Sequence, residues 1–152
     1  MSKLKSPIVL QTAFGEYTLD EILGEGGAGR VYGGVSASGE AFAVKSLTQS
    51  SLDKRRRFKN EIAFLLRNAH QNIVTVTDHG FVVDGPAKGP FYVMRRYSEN
   101  LRSRMKAPAS SADKLRQFLQ ILDGVEAAHL LKVVHRDLKP ENVLFDKASG
   151  ML

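Results

Sequence analysis

His135-Arg136-Asp137-Leu138-Lys139-Pro140-Glu141-Asn142 is the stretch on which the reading of this chain turns. It follows the apolar pair Val133-Val134 and precedes Val143-Leu144-Phe145, so it reads as a polar loop between two short strands. Such a loop can hold several functional side chains in fixed places. Asp137 can accept a proton from a hydroxyl, Lys139 can neutralise charge on a transferring phosphoryl group, and Asn142 can ligate Mg²⁺ through its amide oxygen.

Upstream, Gly24-Glu25-Gly26-Gly27-Ala28-Gly29-Arg30-Val31 fits G-x-G-x-x-G-x-V. Glycines let a backbone bend tightly and bring its N–H groups to phosphate oxygens with no Cβ in the way. Taken alone the motif also fits a glycine-rich hairpin without a ligand. Its flanks discriminate. A dinucleotide fingerprint opens a helix, whereas Arg30-Val31-Tyr32-Gly33-Gly34-Val35 is strand-like. A P-loop ends in Gly-Lys-Ser/Thr, and Gly29-Arg30-Val31 does not. The loop therefore joins strand to strand, with Tyr17–Leu23 before it and Gly29–Val35 after it.

A third strand, Glu40–Leu47, follows a Ser38-Gly39 turn and sets Ala41, Ala43 and Lys45 on one face by alternation. From Ser50 to Arg67 the period becomes helical: Phe58, Ile62, Leu65 and Leu66 form the apolar stripe, with Ser50 or Ser51 as N-cap. Glu61 stands at the edge of that stripe and is the carboxylate able to hold Lys45 in place. Either residue alone would pass for an ordinary surface charge. Lys54, Arg55, Arg56, Arg57 and Lys59 read as a solvated helix start, since no interleaved aromatics beyond Phe58 support base stacking.

Ile73–Val76, Phe81–Val83 and Phe91–Arg96 read as further strands, and 84–90 as a loop. A second helix spans Ala112–Leu131, capped by Ser110 or Ser111, with Leu115, Phe118, Leu119, Leu122 and Val125 as its buried stripe. Strands first and helices later is an α+β pattern without the regular alternation of a doubly wound sheet.

Composition sets the outer bounds. The 152 residues carry a net charge of +6 and are 43% apolar, which excludes a disordered tail or a membrane-embedded bundle. The chain has no cysteine, so disulfide scaffolds, thiol nucleophiles and cysteine zinc sites are excluded. The four histidines are scattered, with no metal-ligand spacing between them. The apolar run Ile8-Val9-Leu10 is too short for a secretory signal, which needs roughly 7–15 such residues, and nothing approaches the ~20 of a membrane span. The default address is the cytoplasm, with no membrane or nucleic-acid partner.

From about Tyr17 onward the chain resembles a serine/threonine protein kinase catalytic domain. Gly24, Gly26 and Gly29 match the glycine-rich loop and Val31 the valine against adenine. Ala43-Val44-Lys45 matches the strand-three lysine motif, with Ala43 also facing adenine. Glu61 matches the helix-C glutamate, and His70-Gln71-Asn72-Ile73-Val74 is similar to the family's H-P-N-I-V segment. Phe91-Tyr92-Val93-Met94 resembles the strand to the hinge, with Met94 as gatekeeper. In the loop the aspartate of His135-Arg136-Asp137 matches the catalytic base, Lys139-Pro140-Glu141-Asn142 is the serine/threonine version, and Leu144 forms the adenine floor.

The resemblance implies ATP with Mg²⁺ as cofactors and a Ser/Thr-bearing protein as substrate, with Asn142 as metal ligand. It implies residues 1–16 as an N-terminal extension, 17–97 as a complete N-lobe of antiparallel sheet plus helix C, and 98–152 as an incomplete helical C-lobe. Two departures stand out. Arg95-Arg96-Tyr97 occupies the hinge, where the family commonly begins with an acidic residue, and no Asp-Phe-Gly follows Asn142 before Leu152; Asp146 is not that aspartate. A complete catalytic domain runs to roughly 250 residues. The chain alone is therefore expected to show no phosphotransfer and to leave part of its second helix exposed. A non-catalytic kinase-like module that binds nucleotide or a partner is the alternative reading. A small-molecule phosphotransferase, usually lacking Arg136 and Leu138-Lys139-Pro140, is a third.

Overall fold

Six strands and one helix between Ser2 and Arg95 follow from the strand alternation and the helical period seen above. The computed structural model describes residues 2–26, 29–48 and 51–145. The Gly27-Ala28 tip, Ser50 and Asp146 lie outside the described residues. The chain divides into two units, one of Met1–Asn68 with Thr75–Arg96, the other of Ala69–Val74 with Tyr97–Leu152.

The first unit holds β1 (Ser2–Gln11), β2 (Glu16–Gly26), β3 (Gly29–Ser36), β4 (Ala41–Ser46), α1 (Leu52–Arg67), β5 (Val76–Val82) and β6 (Gly89–Arg95). The strands form one antiparallel sheet in the order β1-β2-β3-β4-β6-β5. Alternation gives it two unlike faces. Leu10, Leu19, Tyr32, Phe42, Val44, Phe91 and Val93 close into a dry core on one of them. Ala43, Lys45, Tyr92 and Met94 belong to the other. There α1 packs through Phe58, whose ring stacks on Tyr92 at 5.5 Å between centroids. Ser51 caps α1 by accepting from Lys54 N. Leu66, read as part of the buried stripe, is exposed: it lies past the helix face that Phe58 directs at the sheet.

Within the expected N-terminal extension, β1 pairs with β2 and sends Leu10 into the core. One further expectation changes here. Ile73–Val76 and Phe81–Val83 are not separate strands; one strand, β5, covers Val76–Val82, and Ile73 instead donates its N–H to His70 O in a turn. Asp78 is buried within the strand because Thr12 and Tyr17 satisfy its carboxylate.

The second unit holds β7 (Glu99–Asn100), α2 (Leu101–Arg104), α3 (Ser111–Leu130), a 3₁₀ turn at Pro140–Asn142 and β8 (Leu144–Phe145), with β7 and β8 antiparallel. Ser110 caps α3 at Asp113 N. One side of α3 receives the 69–74 segment: Asp123 accepts from Asn72 Nδ2 at 2.7 Å, and Gly124 lets Asn72 O approach so closely that a Cβ would sit 2.6 Å from it. As expected for a second helix left partly open, Leu115, Phe118, Leu119 and Leu122 of its apolar stripe are exposed, and Val125 is half-buried. Val133-Val134 forms no strand, and Val134 is exposed; the polar loop is held upstream by the Val133 N–H donated to Ala128 O at 3.0 Å and downstream by β8.

Candidate active site

The first unit assembles one set of site residues. Val31 lies opposite Lys45 in the β3–β4 ladder, and Lys45 and Ala43 lie opposite Tyr92 and Met94 in the β4–β6 ladder. Directly paired residues share a face, so the sheet brings Val31, Ala43, Lys45 and Met94 together. Lys45 Nζ meets Glu61 Oε1 at 2.6 Å, and Tyr92 donates its hydroxyl to the same oxygen at 2.7 Å. The ammonium also stands 5.9 Å from the Phe58 ring centroid and 5.7 Å from that of Tyr92. Burial pushes the Tyr92 phenol well above its usual range, reinforced by the charge of Glu61 and the bond to it. Tyr92 is thus a neutral donor that fixes the glutamate while the glutamate fixes the lysine. Sequence reasoning missed it; the signal was the ladder pairing, which needs the register between β4 and β6.

The glycine hairpin closes on the pair Gly26–Gly29. Gly29 has φ +120°, and a Cβ there would stand 2.2 Å from Ser46 O, so only glycine fits. A Cβ on Gly24 or Gly26 would project into open space, which leaves room beside the backbone N–H groups for a phosphate. These residues fit a nucleotide's phosphate chain. At the hinge departure Arg96 has a structural partner, pairing through Nη1 with Glu21 Oε1 at 2.5 Å.

The second unit assembles the other set. Lys139 Nζ donates to both Asp137 oxygens, at 3.0 and 2.8 Å. Asn142 Nδ2 donates to Asp137 O at 2.8 Å and to Oδ2 at 3.1 Å. Asp137 N–H donates to His135 Nδ1, and Arg136 adopts φ +63°, which turns the loop between them. The Lys139 bond, followed by that of Asn142, holds the Asp137 carboxyl below the usual carboxylate range. With its amide nitrogen committed to Asp137, Asn142 keeps an amide oxygen that makes no hydrogen bond among the described residues, a donor suited to Mg²⁺. The described residues contain no cluster of three or more His, Cys, Asp or Glu arranged for a metal. Asn142 could therefore contribute one oxygen ligand to a bound Mg²⁺.

The loop's exit is braced by residues that sequence reasoning passed over. Leu101 N donates to Val143 O at 2.8 Å, Arg102 Nε to Glu141 Oε1 at 2.8 Å, and the Arg104 guanidinium lies 4.8 Å from the Phe145 ring centroid. Leu144, the expected adenine floor, pairs with Asn100 and is half-buried.

A Lys–Glu pair on a five-residue ladder face, a glycine hairpin and an Asp-Lys-Asn loop define the class as phosphoryl-transferring proteins of the kinase type. The model of the protein kinase domain family matches residues 17–152, and the chain belongs to that family. It is 33% identical to a probable LRR receptor-like serine/threonine-protein kinase of Arabidopsis thaliana, over 91% of this chain and 14% of the relative. It is 34% identical to a G-type lectin S-receptor-like serine/threonine-protein kinase of the same plant, over 91% of this chain and 18% of that relative. A cysteine-rich receptor-like protein kinase, also from Arabidopsis thaliana, is 30% identical over 91% of this chain and 22% of its own length. The chain thus spans about a fifth or less of each of these relatives. No helix among the described residues is long and apolar enough to cross a membrane.

Proposed function

We propose that this chain carries the ATP-handling and hydroxyl-activating groups of an enzyme that phosphorylates Ser or Thr in protein substrates, acting in the cytoplasm. The observation that carries the reading is the pairing of Lys45 with Glu61 in the first unit, matched by an Asp137 held ionised in the second. MgATP, when bound, supplies the transferable phosphoryl group. Within the first unit, Gly24, Gly26 and Gly29 would admit its phosphates to the backbone, Lys45 would hold them as a point charge, and Val31, Ala43 and Met94 would line the adenine. Asp137 orients the acceptor hydroxyl and takes its proton. Lys139, now on Asp137, is positioned to share its charge with the transferring oxygens, and Asn142 offers its amide oxygen to Mg²⁺. Intact Lys45, Glu61, Asp137 and Asn142 argue against a module that has lost its chemistry.

Calorimetric titration of the 152-residue chain with MgATP tests the first half of the reading. Lys45→Met should weaken binding about tenfold to a hundredfold, the scale of a lost charged hydrogen bond. Radiolabel transfer from ATP to a Ser/Thr acceptor protein, assayed with this chain and any longer product of its reading frame, tests the second half. Asp137→Asn should abolish any transfer observed. Absence of nucleotide binding, or transfer that survives Asp137→Asn, would overturn the proposal.

A further inference from the structure

Glu141, the second carboxylate of the loop, is already matched by a residue of its own chain. Arg102 Nε donates to Glu141 Oε1 at 2.8 Å, so the carboxylate is already paired. Arg102 is held where it can do this. Asn100 and Ser103 form a reciprocal cap at the start of α2, and Leu101 N–H is tied to Val143 O.

Only Nε of Arg102 is spent. Its two terminal nitrogens make no hydrogen bond among the described residues, and the side chain is 54% exposed. Along the same loop Lys139 matches Asp137, so neither carboxylate offers uncompensated charge. Lys132 and Arg136 are exposed and form no ion pair among the described residues. An acceptor segment that brings a hydroxyl to Asp137 therefore meets neutralised carboxylates and outward-facing cationic donors. A guanidinium fork matches a carboxylate in plane, and it repels Lys or Arg.

We propose that Arg102 is a specificity-determining residue that selects acceptor segments carrying acidic side chains beside the Ser or Thr. The inference rests on the kinase reading of the same loop, and it gives one residue control over the sign of the preference. Without Arg102, Glu141 becomes a free carboxylate four residues from Asp137 and favours basic segments.

The test reads binding rather than transfer, so its failure is distinct from failure of the kinase reading. Two fluorescent peptides share a central Ser; one is flanked by Glu and the other by Arg, and each is titrated into the 152-residue chain by anisotropy. The Glu-flanked peptide should bind about fivefold tighter, the scale of one or two partly exposed ion pairs, and the margin should shrink at high salt. Arg102→Ala should remove or invert the preference. Arg102→Lys, which keeps the charge and loses the fork, should retain it in weaker form and decides the matter if the alanine variant does not fold. Because the whole chain is at +6, Lys59→Ala on α1 makes the same charge change elsewhere and should leave the preference intact. Equal binding of the two peptides, preference for the Arg-flanked one, or an equal response to Lys59→Ala would overturn the inference.

Discussion

Tyr17 donates its hydroxyl to Asp78 Oδ2 at 2.9 Å, and Thr12 Oγ1 donates to the same oxygen at 2.5 Å. Burial, followed by the bond to Asp78 and its charge, pushes the Tyr17 phenol up to about 12. An unfolded tyrosine titrates near about 10. Between those values the unfolded chain has lost the proton and the folded chain keeps it, so rising pH favours unfolding. The stabilisation is complete below about pH 10 and is lost as pH rises through about 12. Urea unfolding at pH 9, 10, 11 and 12 should show Tyr17→Phe losing less stability over this range than the parent. Parallel decline of the two proteins would sink the assignment. Residues of this kind escape a linear reading. Lys45, Glu61, Asp137 and Asn142 were legible because their chemistry sits in motifs of fixed spacing. The partners that hold them were not: Tyr92 reaches Glu61 across 31 residues and Arg102 reaches Glu141 across 39, and nothing local marks either pair.

Among the elements, α3 is the clearest case of packing overruling propensity. Alanine is the better helix former, favoured over glycine by about 1 kcal/mol in a helix interior. Gly124, however, is where the 69–74 segment crosses, and a Cβ would lie 2.6 Å from Asn72 O, a backbone atom that cannot swing away. Overpacking of this type costs about 1–3 kcal/mol. Gly124→Ala should therefore destabilise the protein by up to about 2 kcal/mol, read as a lower urea midpoint with unchanged slope. A higher midpoint would show that the segment yields. The helices α1 and α3 and the β2, β3, β4 and β6 strands are legible because each carries a sustained period. β5 reads as two pieces, and the Asp78 that lies between them is satisfied by Thr12 and Tyr17, more than 60 residues away. Val133-Val134 was read as a strand because two β-branched residues suit one, yet no described strand pairs with them. The four-residue α2 is too short to show a period at all, although its Asn100–Ser103 cap is local.

At the scale of the whole molecule the two units differ in what they bury. The first unit closes a core on one face of its sheet, with Leu19, Tyr32 and Val44 fully buried. In the second unit Leu115, Phe118, Leu119 and Leu122 are 59, 56, 55 and 46% exposed, and they recur at helical spacing on one side of α3. Scattered exposed leucines are ordinary; a contiguous stripe that includes a phenylalanine is not. Water contact along this stripe forfeits roughly 25 cal/mol for every Å² of apolar surface that burial would remove, so any apolar surface that covers it gains free energy. The net charge of +6 opposes self-association only weakly once salt screens it over a Debye length of about 8 Å. The 152-residue chain should therefore bind an anilinonaphthalene dye strongly and sediment with a concentration-dependent mass in physiological salt. Replacing Phe118 and Leu119 together by serine should at least halve the dye signal, shift the chain toward monomer and leave MgATP binding unchanged, since neither side chain belongs to the Lys45 or Asp137 sets. A monomer without dye binding would mean that the stripe is covered in solution. Dye binding unaffected by the double substitution would place the exposed apolar surface elsewhere on the chain.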